Sequence, residues 1–189
     1  MSLSDFFINS KNSFSQFLSS NETLSIVLKA TDICEKALKS NQKIILCGNG
    51  GSAADSQHIA AELVSRFAFD RDPLPAIALT TDTSILTSIA NDYSFDKVFS
   101  RQIEALGRKG DVLIAYSTSG KSQNIINAAI QAKKQDLKII VVTGKNLTEL
   151  HDYANLSICS NSNFTPIIQQ SHLFIGHAIC LELENRIFG

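Results

Sequence analysis

An excess of charge of either sign is missing from this 189-residue chain: 17 Lys and Arg stand against 18 Asp and Glu, a formal net charge of −1. That balance excludes a broad electrostatic footprint for nucleic acid, which needs many Lys and Arg to neutralise phosphates. A small local patch stays open. No run of about 18 apolar residues occurs, so no membrane span is expected. The N-terminus, Met1-Ser2-Leu3-Ser4-Asp5-Phe6-Phe7, carries an early acid and lacks the basic-then-apolar layout of a secretion signal. No Cys-x-x-Cys pair exists, and Cys34, Cys47, Cys159 and Cys180 lie far apart. Reduced thiols of a cytoplasmic protein therefore fit better than a disulfide framework or a cysteine-bound zinc site. Repeats, low-complexity tracts and linkers are missing too, so residues 1–189 are expected to form one domain. With 44% hydrophobic and 19% charged residues, the chain can bury a sizeable core.

What is there falls into two textures. The first forty residues lack Gly and Pro, and Phe6, Phe7, Phe14 and Phe17 recur at roughly helical spacing up to a break near Ser19-Ser20-Asn21. Leu24, Val27, Ala30, Ile33 and Ala37 follow at steps of three and four. Residues 1–40 thus read as a helical arm. Beyond them, short apolar runs at 43–47, 75–79, 111–116 and 137–142, and a weaker one at 154–159, alternate with segments long enough for helices. One helix is expected from Ser52 to about Arg66, and a long one from about Pro166 to Ile187. Apolar strands alternating with helices predict an α/β core over 41–189, a mainly parallel sheet covered on both faces. Such sheets bind ligands at the carboxyl ends of their strands.

Two loops at those ends have suitable chemistry. Ser117-Thr118-Ser119-Gly120-Lys121-Ser122 follows a predicted strand and opens a predicted helix. Hydroxyls and backbone N–H groups at a helix N-terminus suit a phosphate. The alternative is that Ser and Gly only cap the helix and turn the chain. The nucleotide P-loop pattern is absent. Gly48-Asn49-Gly50-Gly51-Ser52 occupies the equivalent place after the first strand, where glycines admit a ligand close to the backbone and Asn49 offers both donor and acceptor. It too can be read as no more than a tight turn.

Three further groups could do chemistry. His58 and Glu62, four apart on one helix, share a face; they suit a metal or a general base with its orienting partner, or form a plain surface pair. The last helix carries Gln169, His172 and His177, any of which can equally be a packing residue. Gln169 and His177 rise roughly 12 Å apart on a regular helix and are rotated by roughly 80°. One metal could reach both only if the side chains lean together, the helix start is irregular, or two subunits contribute; the last is favoured here. Asn91-Asp92 follows the helix after the second strand, where Asp92 could accept sugar hydroxyls. Arg66, at the end of the His58 helix, could pair with an anion. Both can also be surface or capping residues.

Taken together, the residues 47–63, the Ala90-Asn91-Asp92 triplet, the serine loop 117–122, and Ile168-Gln169 with His172 and His177 closely resemble the phosphoheptose isomerases of the sugar isomerase (SIS) domain superfamily. The resemblance spans nearly the whole chain. It implies a three-layer, flavodoxin-like parallel sheet with an N-terminal helical arm, a homotetramer with active sites between subunits, and one zinc per subunit. It also implies conversion of sedoheptulose 7-phosphate to D-glycero-D-manno-heptose 7-phosphate, the first step toward activated heptose for surface polysaccharide. Carried over by position, Asn49, Gly50, Gly51, Ser52, Asn91 and Asp92 line the substrate, with Glu62 and Gln169. Ser117, Thr118, Ser119 and Ser122 match the phosphate loop. Glu62 and His177 match the acid–base pair, and His58, Glu62, Gln169 and His177 the zinc ligands. Neither nucleic acid nor membrane is implied as a partner.

The chain departs from that family at Ile167-Ile168-Gln169-Gln170, where Arg-Ile-Gln-Glu is common; an Arg and a Glu are replaced by uncharged residues, and Arg66 is a candidate substitute cation. The competing expectation is a non-catalytic SIS protein resembling the replication-initiator-associating protein. That relative lacks the helix glutamate and the late histidine, both present here as Glu62 and His177.

Overall fold

The computed structural model describes residues 2–189. Helix α1 (Leu3–Leu18) begins at Ser2, whose hydroxyl accepts from Asp5 N while the Asp5 carboxylate accepts from Ser2 N, a reciprocal cap that satisfies two otherwise orphaned donors. Helix α2 (Asn21–Lys39) restarts at Ser20, whose hydroxyl accepts from Thr23 N. The break between them is therefore a second capping residue, and the apolar stripe of α2 buries Val27, Ala30, Cys34, Ala37 and Leu38.

The remainder alternates strand and helix: β1 (Ile44–Cys47), α3 (Gly51–Val64), β2 (Ala76–Ala78), α4 (Thr83–Asp92), α5 (Ser100–Leu106), β3 (Val112–Ser117), α6 (Gln123–Lys134), β4 (Lys138–Thr143), β5 (Leu156–Cys159) and α7 (Thr165–Phe188). The five strands form one parallel sheet in the order β2-β1-β3-β4-β5, the flavodoxin-like order. Two apolar layers cover it. Ile44, Leu46, Ile114, Tyr116 and Val142 face α2, α3 and α7, while Ile45, Leu113, Ala115, Ile139 and Val141 face α5 and α6. The three-layer expectation is met, because strands buried on both sides need helices on both.

The edges are weaker. β2 keeps Ile77 exposed, and β5 buries only Ile158 fully; each has a sheet neighbour on one side alone. Helix α4 has no buried residue at all. Parallel pairing brings the loops after β1, β3 and β4 to one edge, and it is this edge that positions the site. No helix among the described residues is long and apolar enough to cross a membrane.

Candidate functional site

The sequence expectations converge where α3 meets α7. His58 Nε2 lies 3.0 Å from Glu62 Oε1, as four-residue spacing on α3 dictates. His177 Nε2, from α7, lies 3.2 Å from the same His58 nitrogen. The close approach of the two helices depends on Gly176: a Cβ there would collide with the Ile59 side chain and stand 3.2 Å from Tyr116 Oη. With hydrogen in that place α7 settles onto α3, and the next residue, His177, reaches the His58 ring at a centroid distance of 5.0 Å. Burial, with the neighbouring His58, holds the His177 imidazole below its ordinary pKa, against the opposing pull of Glu62.

Two imidazoles and a carboxylate with all ligand atoms within 4.8 Å form a donor set suited to a divalent metal. Zinc with bonds of about 2.0–2.1 Å in tetrahedral geometry puts two nitrogens about 3.3 Å apart, close to the 3.2 Å between the two Nε2 atoms. The residues present therefore fit the ion. Gln169 is placed elsewhere. Helix α7 is continuous from Thr165, so an irregular start does not shorten the path to His177, and the Gln169 amide packs against Gly51, where any Cβ would collide with it. Arg66 also stands apart from the expectation. The helix ends at Val64, with Ser65 as its cap, and Arg66 lies beyond it and exposed.

Residues that sequence reasoning passed over hold Glu62 in place. Arg71 donates from Nη2 to the backbone oxygen of Glu62 at 2.8 Å and from Nη1 to those of Leu63 and Ser65 at 2.7 and 3.3 Å. These are carbonyls of the last turn of α3, which no helical N–H can satisfy. The guanidinium is itself paired with the fully buried Glu184 at 3.0 Å, and Glu184 also accepts from Phe67 N and Ala68 N at 2.7 Å. Burial alone would raise the Glu184 carboxyl; the two backbone N–H groups and Arg71 outweigh it and hold it below the ordinary range. No local motif marks Arg71 or Glu184, which are 113 residues apart in sequence. Asp55, one turn before His58, makes no bond to Glu62, but burial pushes its carboxyl up to about 6, against the nearby His58.

The two loops meet through their amides. Asn49 Nδ2 donates to Asn124 Oδ1 at 2.8 Å, and Asn124 Nδ2 donates back to Asn49 Oδ1 at 2.9 Å, tying the glycine loop to the first turn of α6. Gly50 is the N-cap position of α3, with φ of +57°, and Ser52 is buried beneath it. In the serine loop, Ser117 Oγ accepts from Gly120 N at 3.0 Å and Ser119 Oγ from Lys121 N at 3.1 Å. Ser122 occupies the N-cap position of α6 but makes no side-chain cap bond. The capping alternative therefore does not hold for Ser122, and its hydroxyl is left for another acceptor. Thr118 and Ser119 line a cleft of about 240 Å³ together with Lys121, Lys145 and Asn163, so the anion-suited loop has amines at its rim.

Asn91 and Asp92 close α4 rather than follow it, both exposed, and Asn91 Nδ2 donates to Asp92 Oδ1 at 2.9 Å. His172 is a packing residue: it is fully buried beside Tyr116, with ring centroids 5.8 Å apart.

Comparison with known proteins shows the family. The SIS domain family matches residues 5–144. The phosphoheptose isomerase of Burkholderia pseudomallei (strain 1710b) is 52% identical over 172 residues, which cover 91% of this chain and 87% of that protein. Among solved structures, the phosphoheptose isomerase of Neisseria gonorrhoeae superposes with a TM-score of 0.89 at 37% identity, covering 97% of both chains. That of Francisella tularensis gives 0.92 at 30% identity, covering 97% of this chain and 96% of its own.

Proposed function

The chain belongs to the SIS domain family, among its phosphoheptose isomerases, and from that premise we propose how its residues convert sedoheptulose 7-phosphate to D-glycero-D-manno-heptose 7-phosphate. The relatives named above lend no support to the initiator-binding alternative. The observation that carries the mechanism is the convergence of Glu62 and His177, from two helices, on His58.

Aldose–ketose isomerisation moves one proton from C1 to C2 and another from O1 to O2. Glu62 is the base: its carboxylate takes the proton from C1, leaving the electron pair in the C1–C2 bond of an enediol, and returns it to C2. His177 gives a proton to O2 as the carbonyl opens and takes one from O1 as the aldehyde forms. Arg71 keeps the Glu62 backbone fixed, so that the carboxylate meets C1 without a search. The serine loop, with Ser117, Thr118, Ser119 and Ser122, binds the phosphate through hydroxyls and backbone N–H groups. Asn49, Gly50, Gly51 and Ser52 line the sugar.

Zinc, one per subunit, is the proposed metal, held by His58, Glu62 and His177; when bound it polarises the carbonyl and stabilises negative charge on the enediol oxygens. Gln169, Asn91 and Asp92 complete the site in a homotetramer of single SIS domains whose active sites lie between subunits. One feature supports this: the exposed Leu3, Phe7, Ile8 and Leu24 of the arm. The setting is cytoplasmic, and the product feeds lipopolysaccharide or capsule.

The test is incubation of the purified protein with sedoheptulose 7-phosphate, followed by NMR for the aldose. Turnover is expected, and Glu62→Gln and His177→Gln should each lower kcat by at least about a hundredfold. Absence of turnover in the unmodified protein, with or without added zinc, would overturn the function. Full activity in both variants would overturn only the residue roles.

A further inference from the structure

The loop after β4 holds the serine loop by two of its carbonyls. Gly144 N donates to the Thr118 oxygen at 3.2 Å, and Thr148 Oγ1 donates to the Gly120 oxygen at 2.7 Å. Contact at the second point is close: Gly120 has φ of +65°, and a Cβ on it would stand 2.5 Å from Thr148 Oγ1. Thr148 is in turn held by His151, whose Nδ1 accepts from Thr148 N at 2.9 Å. A ring nitrogen that accepts carries no proton, so Nε2 carries it and donates to Thr143 Oγ1 at 3.0 Å. Thr143 Oγ1 passes its own hydrogen to the Gly144 oxygen at 3.1 Å. Thus Thr143, Gly144, Thr148 and His151 form one closed set of bonds against the serine loop.

The geometry has a consequence for the anion. In a trans peptide the C=O and the following N–H point in opposite directions. Drawing the Gly120 oxygen toward Thr148 turns Lys121 N–H the other way, onto Ser119 Oγ, where it is found at 3.1 Å. A hydroxyl oxygen that accepts that bond keeps its own hydrogen free to donate. Drawing the Thr118 oxygen toward Gly144 turns Ser119 N–H away from the β4 loop by the same rule.

We infer that Thr148, braced by His151, is a positioning residue for phosphate recognition, setting the Gly120–Lys121 peptide so that Ser119 presents its hydroxyl hydrogen to the phosphate. This rests on the serine loop being the phosphate site. Thr148 touches no reacting atom, so its loss should weaken binding of the phosphate end and leave the chemical step alone.

Five variants decide it, each measured for KM and kcat with sedoheptulose 7-phosphate and for competitive inhibition by inorganic phosphate. Thr148→Val keeps the shape and removes the donor; KM and the phosphate inhibition constant should both rise about five- to tenfold, the worth of one hydrogen bond, with kcat unchanged. Thr148→Ser should restore both. Ser119→Ala tests the phosphate site independently and should raise both constants. His151→Ala should mimic the valine variant while His151→Gln, whose amide oxygen can accept from Thr148 N, should not; this pair carries the comparison if Thr148→Val does not fold. Wild-type constants in Thr148→Val and His151→Ala alongside raised ones in Ser119→Ala would overturn the inference alone. Wild-type constants in Ser119→Ala would overturn the phosphate site and the inference with it. A fall in kcat at unchanged KM in Thr148→Val would also overturn it.

Discussion

Arg71 Nη2 stands 2.8 Å from the backbone oxygen of Glu62, so the proposed base is fixed through its own main chain by a guanidinium nine residues on. The Arg71 side chain is 2% exposed and that of Glu184 fully buried. Removing one partner leaves an uncompensated charge in the interior, which costs far more than a surface pair. Arg71→Ala should lower unfolding stability by about 3–5 kcal/mol in urea titrations. Arg71→Lys should not recover it, because an ammonium cannot span Glu184 and the carbonyls of Glu62, Leu63, Ser65 and Asp72 as a planar fork does. Wild-type stability in the lysine variant would show that the fork geometry is immaterial.

Gly176 is expected to tolerate no side chain. A Cβ there collides with Ile59, and overpacking of this kind costs about 1–3 kcal/mol. More telling is the site: Gly176→Ala should push α7 off α3 and separate His177 from His58, lowering kcat sharply. Ile59→Ala, which removes both colliding atoms, Cγ1 and Cδ1, should restore activity in the double variant. Failure of that rescue would place the effect elsewhere.

Acid sensitivity should trace to His172. Burial pushes its imidazole down to about 4 from 6.5, so below pH 6.5 the unfolded chain takes a proton that the folded chain refuses. Stability is full above pH 6.5 and declines as pH falls toward 4, by up to roughly 3 kcal/mol. His172→Phe keeps a ring beside Tyr116 and removes the titration. Urea unfolding at pH 7.5, 5.5 and 4.5 should show a smaller pH dependence in the variant than in the wild type; parallel losses in both would assign the sensitivity to other groups.

Metal affinity should depend on the two helices jointly. His58→Ala and His177→Ala each delete one ligand of the three-residue cluster, and each should reduce zinc retained after equilibrium dialysis to well below one per chain. Gln57→Ala, one residue from His58 but bonded to Thr80, should retain zinc as the wild type does. Equal zinc content in all of these variants would remove the cluster as the binding site.

Much of this molecule could be read before any coordinates. Apolar runs such as Ile44–Cys47 and Val112–Ser117 are strands because they are buried on both faces, and that makes a short run continuous rather than alternating. His58 and Glu62 were legible as a pair because four-residue spacing on a helix is local geometry. Asn91 and Asp92 were misread as following their helix instead of closing it, and Arg66 as ending one it lies beyond; helix ends depend on caps and tertiary partners as much as on pattern. Arg71, Glu184, Asn124, Thr148 and His151 carried no signal: Glu184, Asn124 and Thr148 act on residues distant in sequence, and Arg71 and His151 match no local motif.

The sequence by itself determined the order of strands and helices, the two anion-suited loops and the one-face pairing of His58 with Glu62. All of these follow from periods and spacings within a dozen residues. Only the tertiary structure decided that His177 meets His58, because that depends on hydrogen instead of a side chain at Gly176, 117 residues after Ile59. It likewise decided that the serine loop leans on Thr148 and that Glu62 is anchored by Arg71 and Glu184. Hydrogen bonds and close packing act over a few ångströms whatever the sequence separation, so which distant residues share a partner is settled by the fold.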